Sequence, residues 1–426
     1  VSLLGFNTGY VEELYRQYLD NPDSVSESWR EFFADYKPSE SFIAAVEARP
    51  PQPVEVERPA APESGDGALP EPVIPASAPA AQEDVDLRPL RGPSAKIVEN
   101  MEASLGVPTA TSARTVPVKL LAENRQLIND YQRYVGGEKV SYTHLIAWAI
   151  IKALAQFPVM NTTLRHDDGA LNQVIPKRVN LGIAIDIERK GKRTLLVPNI
   201  KGADQMSFTQ FLGIYNDIIA RARENKLEVS DFVGTTATLT NPGMIGTVMS
   251  VPRLMPGQGT IIAVGAIGYP PEYEGLPREV VSKMGISEVM TITSTYDHRV
   301  IQGAESGAFL SYIADLLLGK HDFYQGIFSD LSIPYQPYSL SVDTTPQLGR
   351  EDGEIDMVHK QASVLQLIRA YRVRGHLQAD VNPLGYYWTY HPELDPGKYG
   401  LTIWDLDRRF ITGGLGGQDI LPLREI

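Results

Sequence analysis

The chain has seven histidines and no cysteine, so proton chemistry near neutral pH falls to imidazole, and thiolate nucleophiles, thiolate metal sites and disulfides are excluded. One histidine stands in an unusual setting. His298 follows a run of β-branched residues, Val289-Met-Thr-Ile-Thr-Ser-Thr-Tyr296, and precedes the small-residue helix start Gly303-Ala304, with Asp297 and Arg299 on either side. A histidine at a strand end, pinned by polar neighbours, can be held in one rotamer and tautomer. An imidazole, which changes charge near neutral pH without help, suits the removal of a proton from a thiol. From spacing alone a general base and a structural histidine both remain open. His144, His321, His359 and His391 have no recognisable constellation and read as structural or exposed. His166, in Arg165-His166-Asp167-Asp168-Gly169, reads as part of a turn, and a metal site there would need ligands from elsewhere.

The elements that must position these residues can be read from periodicity. Residues 94–105 form an amphipathic helix, 112–121 a strand running into another helix, and 140–157 a helix apolar nearly all round and hence buried. Residues 179–186 and 194–198 flank the charged tip 188–193 as a hairpin. A long helix covers 208–225, three β-branched runs cover 235–241, 259–267 and 288–296, and a last helix covers 304–318. This order predicts an α/β domain over 88–325, a sandwich around a largely β core rather than a regular alternation.

On either side the character of the chain changes. Residues 1–37 predict two short helices, the first ended by Asn21-Pro22 and the second opened by a Ser24-x-x-Glu27 capping box, with Trp29, Phe32 and Phe33 needing cover. Residues 38–87 form a disordered linker, because nine prolines between Pro50 and Pro79 lie among Ala, Glu and Ser and leave nothing to bury. Gly65-Asp66-Gly67 has the opening of a thiamine diphosphate and metal motif but lies in this Pro-rich context, and reads as linker. Residues 326–349 are a connector. Residues 350–426 begin another, helical unit with an amphipathic helix over 355–371, and the chain stops at Leu421-Pro-Leu-Arg-Glu-Ile426 as if inside a helix, which suggests a fragment.

A net charge of −13 argues against nucleic acid, which needs a basic surface. No basic region followed by an apolar run opens the chain, and no apolar stretch approaches the ~20 residues of a bilayer span. These features, with the absence of disulfides, fit a cytoplasmic protein without membrane contact.

Six blocks in order resemble the catalytic domain of the dihydrolipoamide acyltransferases of the 2-oxoacid dehydrogenase complexes. They are Ser94-Ala-Lys-Ile-Val-Glu-Asn-Met-Glu-Ala-Ser; Val140-Ser-Tyr-Thr-His-Leu-Ile-Ala-Trp-Ala-Ile-Ile-Lys-Ala-Leu; Val179-Asn-Leu-Gly-Ile-Ala-Ile-Asp; Leu196-Val-Pro-Asn-Ile-Lys-Gly-Ala-Asp; Thr238-Leu-Thr-Asn-Pro-Gly-Met-Ile-Gly246; and Tyr296-Asp-His-Arg-Val-Ile-Gln-Gly303. The resemblance implies a chloramphenicol acetyltransferase-like two-layer sandwich that forms a homotrimer. It implies that His298 deprotonates coenzyme A, whose thiolate attacks acyl-dihydrolipoamide, while Thr240, or failing it Thr238, stabilises the oxyanion. Such a donor is worth about 3 kcal/mol. Asp297, Arg299 and Asn241 would support these groups. The family has Asp four residues after the histidine where this chain has Gln302, which puts in doubt any step needing a carboxylate there. Arg189, Lys190, Lys192 and Arg193 offer a basic cluster for coenzyme A, or simply a charged hairpin tip.

The flanks resemble a second family. Gly5-Phe-Asn-Thr-Gly-Tyr-Val-Glu-Glu-Leu-Tyr, Asn21-Pro-Asp-Ser-Val, and Gln361-Ala-Ser-Val-Leu-Gln-Leu-Ile-Arg-Ala-Tyr-Arg-Val-Arg-Gly-His with Asn382-Pro-Leu-Gly resemble the thiamine-dependent 2-oxoglutarate dehydrogenase. An acyltransferase set between such pieces is similar to the fused actinobacterial-type 2-oxoglutarate dehydrogenase/decarboxylases. The resemblance implies a succinyl group, and lipoamide supplied in trans by a lipoyl-bearing acyltransferase protein, since no Asp-Lys-Ala lipoyl motif occurs here. It implies dihydrolipoamide dehydrogenase as a further partner, and a thiamine diphosphate and magnesium site beyond Ile426. Two rival expectations are an inactive fold kept as a trimeric scaffold and an antibiotic-modifying acyltransferase.

Overall fold

A computed structural model describes residues 11, 14, 15, 17–19, 21–34, 93–167, 170–189, 192–343, 351–379 and 390–426. Chain contacts divide it into two units, Thr8–Glu99 and Asn100–Ile426 together with Val1–Asn7. The linker prolines, Gly65-Asp66-Gly67 and Asn382-Pro-Leu-Gly385 lie outside the described residues.

In the first unit, helix α1 (Glu27–Ala34) presents Trp29 and Phe33 inward, with Trp29 stacked on Phe33 at 5.2 Å. The capping box expected at Ser24 is not formed. The Ser24 hydroxyl donates to the carbonyls of Gln17 (2.9 Å) and Asn21 (2.6 Å), so it closes the turn before it rather than opening α1.

The second unit holds the α/β sandwich. Its elements, after helix α2 (Pro93–Ser104), are β1 (Thr109–Pro117), α3 (Lys119–Val135), α4 (Tyr142–Gln156), β2 (Thr163–Asp167), β3 (Ala170–Val174), β4 (Leu181–Ile183), β5 (Ile185–Arg189), β6 (Lys192–Leu196), β7 (Asn199–Ile200), α5 (Phe208–Glu224), β8 (Ala237–Thr240), β9 (Thr260–Val264), α6 (Arg278–Lys283), β10 (Val289–Asp297), α7 (Gly303–Leu317) and α8 (Phe323–Asp330). The boundary expected at 325 falls inside α8. Six strands form one sheet in the order β1-β10-β9-β8-β4-β7, with β9 and β4 parallel to β8 and the other pairs antiparallel. Because side chains alternate along a strand, one face carries Val116, Leu239, Ile262, Ile292 and Tyr296, all buried. On this face α7 begins against Tyr296, whose hydroxyl lies 3.6 Å from where a Cβ on Gly303 would stand. The opposite face carries Thr238, Thr240, Thr291, Thr293 and Thr295. The chain between β8 and β9 crosses it, and Thr293 Oγ1 donates to the Ser250 carbonyl at 2.7 Å.

The single strand expected over 179–186 is two. β4 joins the main sheet while β5 pairs with β6, and their turn is tighter than expected, the ladder running to Arg189 opposite Lys192. The ladders separate at Ala184, whose N–H donates to the Leu239 carbonyl. His166 lies in β2 opposite Leu171, so the strand reaches further than the turn expected there.

The C-terminal part is not purely helical. Helix α9 (Glu351–Arg374) is followed by a hairpin, β11 (Arg409–Leu415) and β12 (Gln418–Pro422). The last residues, expected in a helix, form this strand and one 3-10 turn, because Pro422 withholds a helical donor and glycines 413, 414, 416 and 417 take positive φ at the bend. Arg408, Asp405 and Lys360 are buried together. Lys360 Nζ bonds both Asp405 oxygens (2.7 and 2.9 Å), and Arg408 bonds Asp405 (2.8 Å) and Asp343 (2.5 Å). Lys119 and Arg424 add a second bridge by each pairing with Glu123 and Asp407. Arg408 also donates to the Ser282 and Lys283 carbonyls at 3.4 Å, so these contacts fasten α9 and the hairpin to α3 and to the end of α6.

Candidate active site

β10 delivers Asp297 to the edge of the sheet opposite Thr109, and the chain then turns at once. Val300 and Ile301 donate to the Asp297 carbonyl at 3.2 and 3.0 Å, and the His298 N–H donates to the Pro108 carbonyl at 2.9 Å. The buried Asp297 carboxylate accepts a two-pronged pair from Arg299, Nε to Oδ1 at 2.9 Å and Nη2 to Oδ2 at 2.6 Å, and a bond from the Arg299 N–H at 3.1 Å. This is the strong geometry for an arginine–carboxylate pair, and the bonds it donates to Asp297 hold the Arg299 guanidinium above its usual range. The His298 imidazole stands exposed at the end of this turn, edge-on to Tyr296 with centroids 5.7 Å apart. Among the described residues it has no hydrogen-bond partner. Gln302 is exposed and caps α7, and its N–H donates to the Glu305 carboxylate at 2.7 Å.

The hydroxyl block forms at the end of β8. Thr238 is 1% exposed, and its hydroxyl is committed to Gln258 Oε1 at 2.7 Å. Thr240 is half-buried, and its hydroxyl makes no hydrogen bond among the described residues. Asn241 is tethered to the start of α4, its Nδ2 donating to Thr143 Oγ1 at 2.9 Å. Just beyond, Gly243 is obligatory on steric grounds, since a Cβ there would meet the backbone of Gly265 at 2.3 Å and Ala266 at 2.5 Å. The chain then runs out with Met244, Ile245, Val248, Met249 and Val251 between 55% and 80% exposed, an apolar strip of a kind that marks an interaction surface.

The structure therefore gathers His298, Asp297, Arg299 and Gln302 into one turn, and Thr240 and Asn241 into another. It does not bring the two turns together within one chain. Thr240 pairs with Ala263, which pairs with Thr293. Four residues of strand rise and two strand spacings put Thr240 about 16 Å from Asp297, with His298 one residue further. Of the basic tip, Arg193 lies within 3.8 Å of Asp186 and 3.7 Å of Glu188, and the side chains of Arg189, Lys190 and Lys192 lie outside the described ones. Among the described residues no group of three or more His, Asp or Glu side chains is placed to hold a metal ion. No helix among them is long and apolar enough to cross a membrane.

Thr143, Gln258 and Glu305 belong to these turns and were not anticipated. Only Glu305 carried a signal, an acidic residue three places after a cap position. The partners of Thr238 and Asn241 come from distant segments. His144, expected to be structural, is buried at the head of α4, where its Nδ1 accepts from the Ser141 N–H at 3.1 Å and its ring meets Tyr215 edge-on at 4.4 Å. Burial lowers its pKa to about 4.

Comparisons with known proteins bear on what these turns serve. Residues 81–322 match the family model described as 2-oxoacid dehydrogenases acyltransferase (catalytic domain), and residues 2–40 match the 2-oxoglutarate dehydrogenase N-terminus. The chain is similar to a multifunctional 2-oxoglutarate metabolism enzyme of Mycolicibacterium vanbaalenii, 43% identical over all of this chain and 36% of the relative. A namesake from Mycobacterium sp. strain KMS is 41% identical over all of this chain and 37% of its own length. The chain thus spans little more than a third of the curated relatives it matches. Among solved structures it is similar to a probable dihydrolipoamide acetyltransferase from Listeria monocytogenes, 25% identical with a TM-score of 0.47, covering 58% of this chain and 97% of that one.

Proposed function

The chain belongs to the 2-oxoacid dehydrogenase acyltransferase family, and on that premise we propose that it moves a succinyl group from dihydrolipoamide to coenzyme A, at a site shared between copies of itself. His298 takes the proton of the coenzyme A thiol, and the sulfur attacks the thioester carbonyl carbon. The resulting oxyanion accepts a hydrogen bond from the Thr240 hydroxyl of a neighbouring copy. Collapse expels the dihydrolipoamide sulfur, which recovers the proton from the His298 imidazolium. Asp297 and Arg299 hold the turn that carries the base, and Asn241, through Thr143, holds the turn that carries the hydroxyl.

The observation that carries this reading is the separation of the two turns. An oxyanion donor must lie about 3 Å from the developing charge, and Thr240 and His298 of one chain are too far apart to serve one carbonyl. The apolar strip 244–251 supports a second copy docking beside Thr240, and the choice of a trimer rests on the resemblance to the dihydrolipoamide acyltransferases. The choice of Thr240 over Thr238 is supported by the Gln258 bond that occupies Thr238. The succinyl group is supported by the 2-oxoglutarate dehydrogenase N-terminal match and by the names of the relatives. Within such a complex a lipoyl-bearing acyltransferase protein would deliver the substrate and dihydrolipoamide dehydrogenase would reoxidise the product. Decarboxylation of 2-oxoglutarate would need thiamine diphosphate and magnesium bound by residues other than those described.

The test is succinyl transfer from succinyl-dihydrolipoamide to coenzyme A, with succinyl-coenzyme A separated and quantified by chromatography. The parent chain is expected to form succinyl-coenzyme A and His298→Ala to lose it, while Thr240→Ala falls by about 10²–10³ and Thr238→Ala much less. No product from the parent would favour a scaffold. Equal rates in parent and His298→Ala would remove the base from the mechanism.

A further inference from the structure

Because the His298 imidazole has no hydrogen-bond partner among the described residues, its place is set by its backbone and by the edge of Tyr296. Five successive backbone N–H groups define that backbone. His298 is held by the Pro108 carbonyl, Arg299 by the Asp297 carboxylate, and Val300 and Ile301 by the Asp297 carbonyl. These four anchors all lie at or before Asp297. The fifth group, the Gln302 N–H, is held from the other side by Glu305 Oε2 at 2.7 Å.

Glu305 stands in the first turn of α7, where the helix dipole favours an anion. Beyond it Ser306, Phe309, Leu310 and Ile313 are buried, so α7 is a fixed body. Its carboxylate is the side chain that joins the far end of the His298 turn to that body. From this geometry we propose that Glu305 is a positioning residue for His298, acting as a hydrogen-bond acceptor that keeps the base at one height above the sheet edge. The inference rests on the acyl-transfer reading above and adds a residue to it. A simple helix cap would contribute about 1 kcal/mol to stability and nothing to the reaction; a positioning role also lowers turnover, since small displacements of a reacting group are costly.

The experiment compares the whole chain with Glu305→Ala and Glu305→Gln by steady-state succinyl transfer across pH, and by hydrogen exchange of amides 298–303. In Glu305→Ala, kcat is expected to fall about tenfold with the KM for coenzyme A little changed, and amides 299–302 to exchange faster. Glu305→Gln keeps an acceptor oxygen and is expected to stay near the parent in rate, pH profile and exchange. Parental kcat in Glu305→Ala would overturn the proposal, as would equal losses in the two variants. If the parent itself transfers no more than His298→Ala, the reaction reading has failed, and exchange then decides alone. Faster exchange confined to 299–302 supports the hold of Glu305, and unchanged exchange overturns it.

Discussion

His298 and His144 show how one residue type takes opposite parts in a single domain. His298 is exposed at a strand end with a clamped backbone, whereas His144 is buried, neutral and used as an acceptor. The pKa of about 4 for His144 in the folded chain against an ordinary 6.5 means that folding disfavours its charged form. Its contribution is therefore intact above pH 6.5 and is lost as pH falls from 6.5 through 4, up to about 3 kcal/mol. His144→Gln retains an acceptor at the same helix position and removes the titration. It is expected to lose less stability than the parent between pH 7 and pH 4.5 in denaturant unfolding. A parallel loss in the two proteins would mean that His144 does not drive the acid sensitivity. Sequence spacing located His298 and left its role open; the role proposed for it comes from the resemblance. Nothing in spacing could have distinguished Thr240 from Thr238, because the difference is the Gln258 side chain, twenty residues on and facing the same way only once β8 and β9 pair.

The larger elements were legible because their patterns repeat. Helices α4, α5 and α7 and strands β8, β9 and β10 lie where periodicity put them, since a long apolar face has few alternatives. The departures are local competitions. The run 179–186 divides because two ladders claim it, and the C-terminus turns to strand because Pro422 and four positive-φ glycines outweigh helix-forming neighbours. The four-charge cluster of Lys360, Asp405, Arg408 and Asp343 could not be read at all, being assembled from three segments. Removing one member of a buried ionic cluster leaves its partners uncompensated, typically at a cost of about 3–5 kcal/mol. Arg408→Met is accordingly expected to lower unfolding stability by that order, and to raise hydrogen exchange together in 278–288 and 400–426. An unchanged midpoint would show that the C-terminal hairpin is held by its apolar contacts instead.

At the scale of the whole molecule, the separation of Thr240 from His298 and the exposed strip 244–251 are the two observations that support the proposed site shared between copies. The claim at the centre is the shared site, and mixing tests it most directly. His298→Ala and Thr240→Ala chains, each strongly impaired alone, are unfolded and refolded together in equal amounts and assayed for succinyl transfer. If base and hydroxyl come from neighbouring copies, random assembly pairs an intact His298 with an intact Thr240 at about a quarter of the sites, and activity should return to about that fraction of the parent. A mixture no more active than its two components would contradict the shared site, and would require both groups to act within one chain.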